Sequence, residues 1–367
     1  MSTNAELARA KAFREKYAKA VANGVTFISP MYMKAFHGRR MGPGQVHTAE
    51  SFKRQKGIEW NCGGGIGTAD YSWLIEKEIP TGEVNRGELR TRSFEQPSPL
   101  DKATVLFYNF ERTAAISDGD IDRTKGDDNQ LDDLWKRRSI GAQQAIWTLF
   151  RKLMWNTSET SQNAGLSHIV DPDNVAAGTY AGIAMATTNE YWTPKFNQYT
   201  GLTIAANAFV VLTTLKTKLT RSEEAGGGGM QLEPDFACFN PTSWTNLMTF
   251  ISSKYSKTDT GALRSPNMFE AGVANVWLNG IDCFYDNYFA GTATIASQYL
   301  ESAAGEEFVM GHSDKIKLCT TASKAQGLVR AEVLRKPVVI SGTVGVMKTG
   351  LFCLVFESPC FFGYAYL

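Results

Sequence analysis

Apolar residues along this chain change their spacing from segment to segment, and the spacing predicts the elements. The clearest segment is DDNQLDDLWKRRSIGAQQAIWTLFRKLMWNT, from Asp127. Leu131, Leu134 and Trp135, then Ala142, Ala145, Ile146, Leu149, Phe150, Leu153 and Met154, recur at helical spacing. Asp127, Asp128 and Asn129 supply N-cap candidates and negative charge at its start. The predicted helix runs to nearly thirty residues, roughly 40 Å at 1.5 Å per residue. The mean helix has about eleven or twelve residues, so this one is a scaffold element. Trp135, Ile146, Leu149, Phe150 and Leu153 are expected to face the core.

Two further helices are predicted at ANAFVVLTTLKTKL, from Ala206, and at TSWTNLMTFISSKY, from Thr242. Asn240-Pro241 ends the buried strand PDFACF and starts the second of them. ELARAKAFREKYAKAV, from Glu6, reads as an exposed N-terminal helix. YSWLIEKEI, from Tyr71, alternates apolar and polar residues and reads as a strand. GELRTRSF is its expected partner across the turn-rich PTGEVNRG. Polar residues on both faces of this hairpin predict that it protrudes from its own core. The PSP at 97–99 closes it, and KATVLFYNFERTAAI is expected to follow as a strand. Residues 165–200 read as loop, with Tyr191-Trp192 exposed. VVISGTVGVM, GLFCLVF and FFGYAYL end the chain as apolar strands. Helices and strands mix without regular βαβ alternation, so the fold class is α+β.

WNCGGGIGTADYSW, residues 60–73, puts four glycines into five positions. A phosphate cradle needs an apolar strand before the glycines and a helix after them. SFKRQKGIE precedes this stretch and a strand pattern follows it, so the glycines read as a bend.

The chain has 367 residues, 43% of them hydrophobic and 20% charged, which predicts a globular protein with a sizeable core. Net charge is +1, so no global field favours nucleic acid or membrane. Residues 1–60 are the exception, with eleven lysines and arginines against four glutamates. Six cysteines, at 62, 238, 283, 319, 353 and 360, form no CxxC pair, and no secretory leader is visible, which favours free thiols in a reducing compartment. No apolar stretch is long enough to suggest a membrane-spanning helix.

Motifs of catalysis and metal binding are absent from the pattern. DGDIDRTKGDDN, from Asp118, carries Arg123 and Asn129 where a calcium loop needs Gly and Glu. The four histidines, at 37, 47, 168 and 312, are far apart and none stands beside a cysteine at metal spacing. GxSxG and HExxH do not occur. A Cys/His site assembled by folding is the enzyme alternative. The expectation is no catalytic residue, no cofactor and no metal.

The layout resembles the major capsid proteins of tailed bacteriophages, whose fold the encapsulin shells share. VLFYNFERTAAIS leads through an acidic turn into the long helix, as a peripheral domain leads into its spine helix. LFRKLMWNTSETSQNAGLSHIV is similar to the end of that helix and its Gly-Leu turn. ANAFVVLTTLKTKL, a loop and PDFACFNPTSW, with Asn240, Pro241 and Trp244, resemble the family's axial domain. The resemblance implies an N-terminal arm and connector over 1–60 and an extended E-loop hairpin over 61–104, with the glycines at its hinge. It implies a peripheral domain with the spine helix over 105–164, and an axial domain with part of the peripheral domain over 165–335. C-terminal strands fill 336–367, and the chain runs on past VVISGTVGV, where the family pattern stops. The implied function is a structural subunit that self-assembles into hexamers and pentamers of an icosahedral shell around double-stranded DNA. It would be built in the host cytoplasm and end in the virion. Scaffolding, portal and decoration proteins are the implied partners. An encapsulin-like compartment is the alternative within the shell class.

Some members of that family join an E-loop lysine to an asparagine near a neighbour's C-terminus. Lys77 and Lys102 are present here, and so is Glu357, but residues 336–367 contain no asparagine. Particles boiled in detergent are therefore expected to run as a single band of monomer mass. A ladder that survives reductant would contradict this.

Overall fold

The computed structural model describes residues 57–62, 70–76, 100–116, 123, 128–155, 164–170, 178–185, 191–220, 233–254, 275–286, 289, 305–323, 329–334, 343–349 and 351–367. The helix expected from Glu6, the glycines at 63–67, GELRTRSF and most of the acidic turn from Asp118 lie outside these residues.

The first described strands are β1 (Ile58–Glu59), β2 (Asp70–Glu76), β3 (Leu100–Leu106) and β4 (Glu111–Ile116). β2 pairs antiparallel with β3, Asp70 opposite Leu106 and Glu76 opposite Leu100. The described partner of YSWLIE is thus β3, and GELRTRSF lies outside the described residues. KATVLFYNFERTAAI is correspondingly two strands in two sheets. Phe107 and Phe110 both pack into one core, and residues three apart cannot share a face of one regular strand. The break is held by Tyr108 and Phe352, which exchange backbone hydrogen bonds of 2.8 and 2.9 Å.

The long helix is α1 (Asp128–Met154), 27 residues. Ala142, Ile146, Phe150, Leu153 and Met154 are buried and Leu149 is half-buried; the side chain of Trp135 lies outside the described residues. A short buried helix, α2 (Leu166–Val170), follows. β5 (Thr179–Tyr180) and β6 (Ile183–Ala184) turn through Ala181 at φ 53° and Gly182 at φ 83°, the geometry of a two-residue hairpin. Next come β7 (Lys195–Gln198), α3 (Ile204–Leu219), β8 (Phe236–Phe239) and α4 (Pro241–Lys254). β9 (Asn275–Leu278) and β10 (Ile281–Tyr285) turn through Asn279 and Gly280, both at positive φ. β11 (Glu307–Gly311), β12 (Ile316–Thr320), β13 (Val329–Leu334), β14 (Thr343–Thr349), β15 (Phe352–Phe356) and β16 (Phe362–Tyr366) complete the order.

The largest sheet has six strands in the order β7-β16-β11-β8-β10-β9. Every described residue of β8, β11 and β16 is buried, because both faces of the sheet are covered. Ala237, Phe239, Cys283, Phe308 and Met310 face α3 and α4 in one core. Phe236, Cys238, Phe284, Val309 and Tyr364 face a second core, which also takes in α1 and the smaller sheets. Those sheets are β1-β12-β15 and β13-β14-β4, with α1 lying against β4 and β14. Gly363 on β16 has room for nothing larger: an added Cβ would come within 2.9 Å of the Lys195 carbonyl and 3.0 Å of Leu219.

Buried polar groups fasten α3 and α4 to the start of β11. The Glu306 carboxylate accepts the Ile204 N–H at the start of α3 at 2.6 Å and the Asn246 amide of α4 at 2.5 Å. Asn240 caps α4, its Oδ1 accepting the Ser243 N–H at 2.7 Å. Its Nδ2 donates to Glu307 at 3.1 Å, and Tyr364 donates to the other Glu307 oxygen at 2.7 Å. Burial pushes the Glu307 carboxyl above its ordinary value, against the pull of these two donors.

Phe150 is 2% exposed and its ring stacks on Phe352 at 4.4 Å. Phe150→Ala is expected to cost about 3–5 kcal/mol, read as a lowered urea midpoint at unchanged slope. An unchanged midpoint would contradict the packing of α1.

Candidate functional site

The foot of the β2–β3 hairpin presents two unlike faces. Tyr71, Trp73 and Ile75 of β2 and Ala103 and Val105 of β3 turn toward the core. The strand alternation of side chains dictates this, since all five sit at every second position. The expected hairpin with polar residues on both faces is therefore corrected: the foot has an apolar inner face and is anchored. The Trp73 indole donates to the Glu357 carbonyl at 3.0 Å, and the Thr104 N–H to the Ala181 carbonyl at 2.9 Å. Tyr191 donates to Asp101 at 2.7 Å. Burial, together with that carboxylate, pushes the Tyr191 hydroxyl up to about 12. Trp192, expected to be exposed, is wholly buried. It stacks 5.8 Å from Tyr180 and lies tilted 6.3 Å from Trp73, so the foot and the β5–β6 turn cover it. The outer face carries Leu74, Leu100 and Leu106, which are 65%, 53% and 54% exposed. Side chains this apolar and this open suit a surface that another chain covers.

Beneath the foot lies a cluster of charged groups and thiols. Lys317 on β12 pairs with Glu59 at 2.9 Å and also with Glu357. Tyr71 of the hairpin donates to the second Glu59 oxygen at 3.0 Å. That same oxygen faces Cys62 at 4.0 Å and Cys319 at 3.8 Å. Among the described residues, Glu59, Cys62 and Cys319 are the group whose donor atoms converge closely enough to suit a metal ion. Burial alone would raise the Glu59 carboxyl, yet the hydrogen bonds from Lys317 and Tyr71 outweigh it and hold it below its ordinary value. Burial likewise opposes the charge on Lys317, but Glu357 and Glu59 win and raise it. The Cys62 thiol is pushed up by its contact with Cys319 and by burial. Burial pushes up Cys238 and Cys283. A nucleophilic cysteine needs the opposite shift.

No protein-family model matches the chain, and no curated protein matches it. Solved structures do. A capsid chain of cyanophage Pam1 is 11% identical and superposes with a TM-score of 0.50 over 81% of this chain and 84% of its own. A capsid chain of a native GTA particle, also 11% identical, gives a TM-score of 0.50 over 89% of this chain and 93% of its own. The chain has the tailed-phage major capsid fold. The holo-SrpI encapsulin of Synechococcus elongatus is a looser likeness, 9% identical with a TM-score of 0.46 over 89% of this chain and 91% of its own.

Within this capsid fold the residues weighed for chemistry are dispersed. The His168 ring faces the Thr179 carbonyl at 3.1 Å, and His312 packs edge-on to Phe361 at 5.2 Å. His37 and His47 lie outside the described residues. Cys238 and Cys283 sit on adjacent strands of the large sheet but belong to its two opposite cores. Lys102 is exposed on the outer face of the foot, while Glu357 is engaged by Lys317 and, at 3.6 Å, by Lys315. Large exposed apolar side chains also mark the two edge strands of the six-stranded sheet, Phe196 on β7 and Trp277 on β9. No helix among the described residues is long and apolar enough to cross a membrane.

The cluster has a defined pH signature. The lowered Glu59 pKa contributes stability above its ordinary 4.5, lost as pH falls through the lowered value. The raised Lys317 pKa contributes stability below its ordinary 10.5, lost as pH rises through the raised value. Lys317→Met is expected to lower the urea midpoint between about pH 5 and 10 and to flatten its fall in acid. An acid limb identical to the parent's would contradict the pairing.

Proposed function

We propose that this chain is the major subunit of a tailed-phage-type icosahedral shell that encloses double-stranded DNA. The observation that carries the reading is the capsid fold, shared over 81–89% of the chain with two capsid structures at a TM-score of 0.50. The role is structural, without catalysis. Residues 1–60 are the N-terminal arm, whose excess of lysine and arginine suits an anionic surface. Residues 61–104 are the E-loop, rooted by Tyr71, Trp73 and Thr104 and offering Leu74, Leu100 and Leu106 to a neighbouring subunit. Residues 105–164 are the peripheral domain with α1 as its spine. Residues 165–335 hold the axial domain built on the six-stranded sheet, which β16 from the C-terminal strands completes. Contacts of one patch with a different patch on the next copy close into rings, which suits hexamers and pentamers. Each contact is modest, and many contacts per subunit reinforce one another. Scaffolding, portal and decoration proteins are the partners this role brings, with the virion as destination.

Purified protein examined by electron microscopy is expected to form particles, capsomers or shell fragments, and particles isolated from cells that make all its partners are expected to hold nuclease-protected DNA. Particles filled with protein cargo and free of DNA would favour a compartment shell, and a small monodisperse oligomer would overturn both. Replacing residues 77–99 by a short turn leaves the anchored foot in place. That variant is expected to fold with the parent's circular dichroism and to form no particles. Normal particles from it would contradict the E-loop assignment.

A further inference from the structure

Three side chains from two distant parts of the chain form a half-buried donor set. Glu59 closes β1, Cys62 follows it, and Cys319 lies on β12 alongside. Glu59 Oε2 stands 4.0 Å from Cys62 Sγ and 3.8 Å from Cys319 Sγ. All three donor atoms lie within 4.8 Å of one another. Tetrahedral zinc holds thiolate sulfur at about 2.3 Å and carboxylate oxygen at about 2.0–2.2 Å. Those bond lengths set a sulfur–oxygen edge of about 3.6 Å, a few tenths of an ångström below the two spacings observed.

We propose that Glu59, Cys62 and Cys319 bind one zinc ion, with water as the fourth ligand. The Cys62 thiol has the Glu59 carbonyl at 3.2 Å, but neutral thiols at 3.8–4.0 Å make poor donors to the carboxylate, whereas a divalent ion at their centre engages all three groups. Two soft sulfurs select zinc over magnesium or calcium, which take oxygen ligands. The surroundings already orient the carboxylate. Lys317 holds Glu59 Oε1 at 2.9 Å, and Tyr71 donates to Oε2 at 3.0 Å. Such outer partners fix a ligand's direction and tune affinity. Two thiolates, the Glu59 and Glu357 carboxylates, Zn²⁺ and the ammonium groups of Lys317 and Lys315 sum to zero charge, so the loaded site carries no net charge. Glu59 and Cys62 are only half-buried, which opens a path for the ion. The ion ties the segment that leads into the hairpin to β12. This site adds to the shell role and does not depend on it.

The test uses the full-length protein, stripped with chelator under reductant and then titrated with zinc. After desalting, one zinc per subunit is expected by mass spectrometry of the metal. Cobalt in its place is expected to give the intense bands of tetrahedral thiolate coordination. Zinc is also expected to shield Cys62 from alkylation. Cys62→Ser is expected to retain less than a tenth of the zinc, and Tyr71→Phe to bind roughly 10-fold more weakly. Cys283→Ala, in the other core, is expected to bind as the parent does. Cys319 is wholly buried, so the half-buried Cys62 is the ligand to vary first. No retained zinc in the parent, equal zinc in Cys62→Ser, or a Cys62–Cys319 disulfide in protein isolated without oxidant would overturn the proposal.

Discussion

Three parts of the molecule meet at the ring of Phe352. Phe150 of α1 stacks on it at 4.4 Å and Phe110, between β3 and β4, at 4.9 Å. Its backbone pairs with Tyr108 on one side and, through β15, with Thr320 of β12 on the other. The long helix, the strand that leaves the hairpin and the β1-β12-β15 sheet are therefore set relative to one another by one buried residue. Close packing of aromatic rings tolerates little sliding, so the angle of α1 over its sheet and the direction of the hairpin foot are linked.

The polar interior follows the same logic. Three carboxylates, Glu306 and Glu307 buried and Glu59 half-buried, tie elements across the chain. Glu306 joins the starts of α3 and α4, and Glu307 receives Asn240 and Tyr364. Glu59, under the hairpin, gathers Lys317, Tyr71 and two thiols. The two buried ones would cost free energy if left alone in the core, and each of the three completes a junction that apolar contact leaves loose in direction.

The helices were legible because their signals are local. Period 3.6 marked α1, α3 and α4, and Asn240-Pro241 marked where α4 begins. The strand pairing was less legible, because alternation says which face is buried and not which strand lies alongside. Phe107 and Phe110, three apart, broke KATVLFYNFERTAAI in two, and the aromatic spacing held that warning. Leu278-Asn279-Gly280-Ile281 carried a hairpin signal of its own, since Asn-Gly favours the positive φ that both residues adopt. Trp192 gave no local sign of burial, for the rings that cover it come from Trp73 and Tyr180. The thiol cluster was out of reach of any spacing rule: Glu59 and Cys319 lie 260 positions apart and meet only because β1 runs beside β12.

β16 follows every other described strand in the chain, yet it lies between β7 and β11, inside the largest sheet. On the ribosome this has a temporal meaning. The sheet has a gap until residues 362–366 emerge, and closing it joins positions more than a hundred residues apart, which is slow. Until then β7 has no partner in that sheet, and Phe196 and the neighbouring core have no finished platform. The β11 edge is open for the same interval, and residues 362–366 close both edges in one step, which shortens the time an unpaired edge is offered to other chains.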